Sequence, residues 1–277
     1  MKIGPYIGIR GFMSLAEVVH CNNTFCNTRE RIHWMLKKGV SGLKFMVGVL
    51  VSSKTLAGGT NKYPNRYPPI VRIPEIFSLA EPHLLRTIHY NTDDVKTLVE
   101  QVDQLMSIAP SAIDAIQLNI RWPSPYHLQV MRTKYPDLRI ILQIGAGALG
   151  DITDREDIRI GSALRPYGRI VDDFLVDPSG DKGEPLDVWH AFACLADPGI
   201  PRHMCGGVAG GREGDNVREL KGLKRRCRTM INIDAEDRLR TPRVNDGGDH
   251  LDLTKADCFL EAGVPLMDEA FRGQFPS

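Results

Sequence analysis

The sequence predicts an α/β protein that folds as a single (β/α)8 (TIM) barrel with long βα loops. Eight short apolar runs alternate with helical patterns along the 277 residues. The runs are almost continuously apolar, which is typical of strands that are covered on both faces. No linker or shift in composition divides the chain, so residues 1–277 are predicted to form one domain. An open doubly wound sheet is disfavoured, because GIRGFMS after the first run is not the GxGxxG turn.

The eight predicted strands leave room for a helix or a long loop after each of them, and the seventh has the weakest pattern. They are Pro5–Arg10, Gly42–Val51, Leu85–Tyr90, Ile113–Asn119, Arg139–Gly145, Ile170–Asp177, Arg202–Gly207 and Thr229–Asp234. Apolar residues at i, i+3, i+4 and i+7 predict an amphipathic helix over Thr92–Ile108. A last helix is expected to stop at Gly263. The segment Leu56–Ile70, rich in Gly, Pro, Asn and Tyr, is interpreted as a lid or flexible loop over the catalytic face.

The composition of the chain indicates which classes of binding partner are expected. The net charge is +1, and mean hydropathy is −0.21, so no strong field favours nucleic acid or an anionic membrane. The short first apolar run reads as a strand and not as a signal peptide. Six dispersed cysteines without a CxxC pair predict a reduced, cytoplasmic protein. Cys21 and Cys26 are interpreted as loop thiols, with a local bridge or weak metal site as the alternative. We expect a monomer or homodimer that acts on a small molecule, without cofactor or metal.

Polar residues at the carboxyl ends of the predicted strands are the candidate site, because barrel enzymes place reacting groups there. Asp177 either begins an Asp-Pro-Ser-Gly turn or is a catalytic acid at the rim of the barrel. The candidate residues at these ends are Arg10, Ser52, Lys54, His89, Asn91, Asn119, Arg121, Gln143, Asp177, Cys205, Gly206, Gly207, Asn232 and Asp234.

These strand ends and turns resemble those of phosphoribosylanthranilate isomerase, a barrel enzyme of tryptophan biosynthesis that performs an Amadori rearrangement. The similar segments follow the order of that family along the whole chain, and this chain is longer in its loops. The segments are Ile9–Glu17, Gly39–Thr55, His89–Val102, Ile113–Asn119, Phe174–Trp189, Met204–Leu220 and Gly247–Ala262.

The resemblance implies that Asp177 is the general acid, which protonates the ribose ring oxygen and opens the aminoaldose to a Schiff base. An aspartic acid does this near neutral pH only if burial or a nearby negative charge raises its pKa. The cysteine that serves as base in the family corresponds to Arg10. A guanidinium cannot act as a base, but it can hold a phosphate or carboxylate. Proton abstraction at C2 therefore lacks its expected agent, for which Cys205 is one possible substitute.

The resemblance also implies a phosphate site formed by backbone N–H groups after strands seven and eight, here at Gly206 and Gly207. Ligand contacts are further expected from Lys54, His89, Asn119, Gln143 and Asp234. After strand eight, however, the family's Ser-Ser-Gly is replaced by a segment that contains Asp234, Glu236 and Asp237. These carboxylates leave three interpretations open: a phosphate site compensated by Arg238, Arg240, Lys182 or Arg212, a hard-cation site, or a solvated acidic loop.

The function predicted from the resemblance is the Amadori-type, aldose–ketose isomerisation of a phosphorylated sugar amine. The first alternative is a divergent barrel enzyme or ligand-binding protein that has lost this reaction. The second is a non-enzymatic barrel used for assembly, with Leu56–Ile70 as its interaction surface.

Overall fold

Eight parallel strands close into a barrel in chain order, with the last strand paired to the first. The computed structural model describes residues 4–36, 42–120, 122–145, 160–177, 194–201, 203–209, 231–242 and 248–274. The strands are β1 (Tyr6–Arg10), β2 (Lys44–Ser52), β3 (Leu84–Asn91), β4 (Ala115–Leu118), β5 (Arg139–Ile144), β6 (Asp173–Val176), β7 (Cys205–Ala209) and β8 (Ile231–Ala235). The predicted (β/α)8 barrel is confirmed. Two short strands, β9 (Arg240–Pro242) and β10 (Asp249–Leu251), form an antiparallel pair after it.

Helices cover the outside of the barrel. They are α1 (Leu15–Leu36), α2 (Ser53–Leu56), α3 (Ile73–Ile76), α4 (Leu98–Ile108), α5 (Pro125–Lys134), α6 (Ile160–Leu164) and α7 (Leu253–Gln274). Helix α7 packs against α1 and β1, which joins the last βα unit to the first. The predicted stop at Gly263 is wrong, because α7 continues past both Gly263 and Pro265. No helix in the described part of the chain combines the length and apolar character needed to cross a membrane.

Alternation along the strands separates an outer core from the barrel interior, because successive residues of a strand face opposite sides. One set faces the helices and includes Ile7, Val47 and Ile140. The other forms a separate apolar cluster, made of Tyr6, Met46, Leu85, Ala115, Ile141, Leu175 and Ala209. The interior is therefore filled by side chains, and polar groups occupy its two ends.

The amino-terminal end of the interior holds an ion pair, which we call the lower cluster (Arg139, Asp173, Asn232 and Tyr6). Arg139 binds Asp173 through two bonds, from Nε to Oδ2 at 2.5 Å and from Nη2 to Oδ1 at 2.7 Å. Asn232 Nδ2 donates to the same Oδ1 at 2.9 Å. The Arg139 guanidinium also lies over the Tyr6 ring, 5.2 Å from its centroid. One cation and one anion thus neutralise each other at this end.

Two cysteine predictions are wrong. Strand β7 begins at Cys205, so this thiol lies at the amino end of the strand and not at its carboxyl end. Burial and the nearby Asp173 raise the pKa of Cys205 to about 12, and a thiol that stays protonated cannot replace the missing base. Cys21 and Cys26 are not in a loop, because both lie on α1. Both thiols are free.

Candidate active site

The carboxyl ends of the strands bring charged and amide side chains together inside the barrel. Four predicted site residues, Arg10, His89, Gln143 and Asp234, are buried there on β1, β3, β5 and β8. Asp177 immediately follows β6, and its side chain is also buried. Strand ends of a parallel barrel converge on one face, so these five groups form the mouth of the barrel.

A chain of amide groups connects the carboxylates of Asp177 and Asp234. Gln143 Nε2 donates to Asp177 Oδ2 at 2.9 Å. Gln117 Nε2 donates to Gln143 Oε1 at 3.0 Å and to Asp234 Oδ2 at 3.1 Å. Sequence reasoning missed Gln117, because it searched only strand ends and Gln117 lies inside β4. A lone amide residue in the apolar strand AIQL is the signal that could have found it.

Arg10 is engaged with carboxylates and a histidine, in what we call the upper cluster (Arg10, Asp234, Glu236 and His89). Its Nε lies 3.1 Å from Asp234 Oδ2 and 3.6 Å from Glu236 Oε2. Its Nη1 lies 3.4 Å from each ring nitrogen of His89. Gly48 on the paired strand makes room for this side chain, since a Cβ there would lie 2.9 Å from Arg10 Cγ. The Arg10 guanidinium therefore holds carboxylates of its own chain.

Burial controls proton affinity in the upper cluster. It raises the pKa of Asp234, against the opposing charge of Arg10 and with a contribution from Asp177. It also raises the pKa of Glu236, again against Arg10. The pKa of His89 is held well below its ordinary value by burial and by the Arg10 charge, so its imidazole is neutral. Because burial outweighs the nearby arginine charges, the carboxyl groups here retain protons more readily than exposed ones.

The loop after β2 is attached to the β8 side of the mouth by an arginine. Arg66 Nη1 contacts Glu236 at 3.3 Å and also binds Asp237, while its Nη2 lies 2.5 Å from Asp249. Arg240 binds Asp249 at 2.7 Å and donates to the backbone oxygen of Asn65 in the same loop at 3.0 Å. The predicted lid is thus held in place by ion pairs in this structure.

These contacts decide between the interpretations of the acidic segment after β8. The interpretation as a solvated loop is wrong for Asp234, which is fully buried, and for Glu236, whose side chain is 12% exposed. Arginines occupy the carboxylates that a hard cation would need, and no group of three metal-ligating side chains occurs among the described residues. Of the arginines predicted to compensate these acids, Arg240 pairs with Asp249 instead, and it acts on Glu236 only through its charge. Lys182 and Arg212 lie outside the described residues.

Other predicted ligand residues lie apart from this centre. Gly206 and Gly207 are inside β7, in register with both β6 and β8, and not in the turn beyond it. A Cβ would lie 2.4 Å from Leu195 at the first and 2.6 Å from Leu175 at the second, so close packing explains both glycines. The position predicted for them is therefore wrong, and Gly210 and Gly211 fall outside the described residues.

Two further predicted ligand residues occupy the rim. Lys54 is exposed on α2, after the end of β2. Asn119 follows β4 and is half-buried, with its Oδ1 3.5 Å from where a Cβ on Gly145 would lie. The structure thus brings Asn119 near the end of β5 and leaves Lys54 at the surface. Arg121 lies outside the described residues.

Comparisons with known proteins agree with this architecture. No family model and no curated protein sequence matches the chain. Phosphoribosylanthranilate isomerase from Thermus thermophilus superimposes with a TM-score of 0.59 at 16% identity, covering 94% of this chain and 99% of that one. The isomerase from Thermotoga maritima gives 0.57 at 14% identity, covering 94% and 98%.

A second group of solved structures is also similar. The ribulose-1,5-bisphosphate carboxylase/oxygenase of Pyrococcus horikoshii gives a TM-score of 0.50 at 14% identity, covering 98% of this chain and 60% of that one. Likeness at such low identity concerns the fold alone. The chain therefore has a (β/α)8 fold like that of the phosphoribosylanthranilate isomerases.

Proposed function

We propose that the protein catalyses an Amadori-type aldose–ketose isomerisation of a phosphorylated sugar amine, with Asp177 as general acid. The observation that carries the proposal is the position of Asp177. It is the first residue after β6, buried at the mouth of the barrel, and oriented by the Gln143 amide at 2.9 Å. A carboxyl group fixed in this way suits protonation of the sugar ring oxygen.

The chemistry asks for a group that gives a proton and a group that takes one. When Asp177 protonates the ring oxygen, the C1–O bond breaks and the nitrogen lone pair forms the C1=N bond of a Schiff base. The Gln143–Gln117 chain fixes the position of Asp177 relative to Asp234.

The proposed substrate carries a phosphate, and the described mouth restricts where that phosphate binds. Asp234, Glu236 and Asp237 follow one another on the β8 side, and Arg10 and Arg66 are already paired with them. A phosphate is repelled from this side. We therefore propose that the phosphate binds toward the carboxyl end of β7, the strand that contains Gly206 and Gly207, with Lys54, His89 and Asn119 nearer the rest of the substrate.

We also propose the setting. The protein would act in tryptophan biosynthesis in the cytoplasm, as a monomer or homodimer, without a cofactor and without a nucleic acid or membrane partner. The near-zero net charge and dispersed cysteines support this setting.

Purified protein supplied with phosphoribosylanthranilate tests the proposal, with turnover followed as the loss of anthranilate-type fluorescence. We expect Asp177→Asn to lower kcat/KM by about 100-fold or more, the usual contribution of a general acid. Asp172→Asn is the matched control, since that acid pairs with Arg132 on the outside of the barrel, and it should leave kcat/KM within about twofold. No turnover by the native protein, and none by Arg10→Cys, would contradict the isomerase.

A second candidate function, ligand binding without isomerisation, is favoured by the occupation of the base position by Arg10. Sugar phosphates would then raise the melting temperature without any turnover, since a ligand that binds only the native state stabilises it. A barrel used only for assembly would show neither response.

A further inference from the structure

The proposed isomerisation leaves one proton transfer without an agent, the removal of hydrogen from C2 of the sugar. Arg10 stands at the end of β1, where the resemblance implies a basic cysteine. A replacement must therefore reach the space beside Arg10. Three described side chains contact Arg10 and can in principle accept a proton: His89, Asp234 and Glu236.

Two of these three are poorly placed. His89 is buried, and both of its ring nitrogens lie 3.4 Å from the Arg10 Nη1 cation. Asp234 is fully buried, and its Oδ2 is already engaged by Gln117 and Arg10. Its Oδ1 faces inward, because a Cβ on Gly8, two residues before Arg10, would lie 3.2 Å from that atom.

Glu236 is placed differently. It is the first residue after β8 and so lies beyond Asp234 along the chain, past the carboxyl end of that strand. Its side chain retains 12% exposure, whereas that of Asp234 retains none. Arg10 contacts Oε2 at 3.6 Å and Arg66 contacts Oε1 at 3.3 Å. The two arginines thus orient the carboxylate from both sides. It lies beside Arg10, where the resemblance implies the base, and two strands around the barrel from Asp177.

We propose that Glu236 is the general base that removes the proton from C2 of the sugar, an inference that rests on the proposed function. After ring opening, a Glu236 oxygen takes the C2 proton, the C–H electron pair forms the C1=C2 bond, and the C=N pair returns to nitrogen. The resulting enolamine loses its O2 proton and gains one at C1, which gives the ketose. No electrons leave or enter, so no co-reactant is needed. Arg10 and Arg66 act as positioning residues for this carboxylate.

The charges around Glu236 suit a base that works near neutral pH. Burial raises its pKa, and the Asp237 charge adds to that rise, while Arg10, Arg66 and Arg240 oppose it. A base with a raised pKa accepts a proton more readily, provided that it is still ionised at the working pH. The acid limb of kcat/KM should therefore report the ionisation of Glu236.

The test compares three variants of the full chain with the native protein, using phosphoribosylanthranilate. Glu236→Gln should lower kcat/KM by about 100-fold or more and abolish the acid limb of the pH profile. Glu236→Asp should retain a reduced rate with a displaced acid limb, because the shorter carboxylate sits differently between Arg10 and Arg66. Asp172→Asn is the control, an acid that pairs with Arg132 on the outside of the barrel, and it should remain within about threefold of native.

The outcomes separate this inference from the function on which it rests. Turnover by the native protein together with a Glu236→Gln rate within about threefold would overturn the base assignment and leave the isomerase standing. Absence of turnover in the native protein would overturn both. If Glu236→Gln fails to fold, Glu236→Asp decides, because an unchanged rate with an unchanged acid limb would overturn the assignment.

Discussion

The two ends of the barrel interior both carry a buried arginine, but only one end is balanced in charge. In the lower cluster, Arg139 and Asp173 form a bidentate pair whose side chains are 2% and 0% exposed. In the upper cluster, Arg10 is equally buried but contacts both Asp234 and Glu236. A buried arginine therefore forms a neutral ion pair at one end of the barrel. At the other end, a similarly buried arginine contacts two carboxylates.

The charge balance at each end of the barrel determines whether its groups can exchange protons. A buried pair with matched charge and saturated hydrogen bonds has no proton to exchange at ordinary pH. A buried cluster with more carboxyl groups than cations carries an unfavourable negative charge when it is fully ionised. Holding a proton on one carboxyl group removes that charge. The lower cluster is thus expected to govern folding, and the upper cluster proton transfer.

The largest expected effect on stability comes from breaking the balanced pair. Arg139→Met leaves Asp173 buried without its cation, which should lower the free energy of unfolding by about 3–5 kcal/mol. The double variant Arg139→Met/Asp173→Leu should recover most of that loss, because an apolar pair can replace a buried ion pair. Urea unfolding at pH 7 measures both. A single variant as stable as the native protein would show that this pair is not the structural element we describe.

The corresponding change in the upper cluster should cost less. Arg10→Met removes a cation from two carboxyl groups whose pKa values are already raised, so part of the cost is present in the native protein. We expect a loss of about 1–3 kcal/mol at pH 7. The loss should shrink at pH 5, where Asp234 and Glu236 protonate more readily. Equal losses for Arg10→Met and Arg139→Met at both pH values would contradict the comparison.

The pH dependence of the native protein follows from the same groups. The native pKa values of Asp234 and Glu236 lie above their unfolded values of about 4. Between about pH 4 and those raised values the native state binds more protons than the unfolded state, so these groups make stability fall as pH rises. Asp249, whose pKa is lowered because bonds from Arg66 and Arg240 outweigh its burial, acts below that window.

Urea unfolding between pH 4.5 and pH 7.5 measures this slope. The double variant Asp234→Asn/Glu236→Gln should flatten it, whereas Asp172→Asn on the barrel exterior should leave it unchanged. An identical slope in the double variant would remove the upper cluster as its source. The expected change is smaller than the two losses above.

The smallest expected effect on stability comes from the loop after β2 that Arg66 attaches to Glu236 of the upper cluster. Arg66 is partly exposed, so solvent screens its ion pairs, and Arg66→Gln should cost at most about 1 kcal/mol. It should, however, increase proteolysis within residues 57–69, because the loop loses its contacts to Glu236 and Asp249. Arg72→Gln is the control, since its pair with Glu75 lies on the surface. Equal proteolysis of both variants would show that Arg66 does not hold the loop.

Sequence reasoning succeeded where one periodic signal was enough. Alternation and apolar runs located all eight strands within about three residues, because burial on both faces leaves a strong pattern. The prediction failed in the role of the two glycines of β7, which were interpreted as an anion-binding turn. In the structure the glycines lack a side chain because Leu195 and Leu175 pack closely against them. Neither leucine belongs to β7, so the local sequence does not reveal these contacts.

The candidate site shows the same division. Asp177, Arg10, His89, Gln143 and Asp234 were predicted from their positions at strand ends, since parallel strands bring those ends to one face. Gln117 and Arg66 were not predicted, because each acquires its role from partners far along the chain. Gln117 bonds to Asp234, 117 residues away, and Arg66 bonds to Asp237, 171 residues away.

The sequence predicts a parallel barrel and the residues that end its strands, and the resemblance implies that Arg10 stands where phosphoribosylanthranilate isomerases have a cysteine. Local periodicity and residue identity carry that information. The folded arrangement, and not the local sequence, pairs Arg10 with Asp234 and Glu236 and places Glu236 between Arg10 and Arg66. Charge balance inside a barrel depends on which side chains meet across its interior, and the distances between those side chains cannot be inferred from their spacing along the chain.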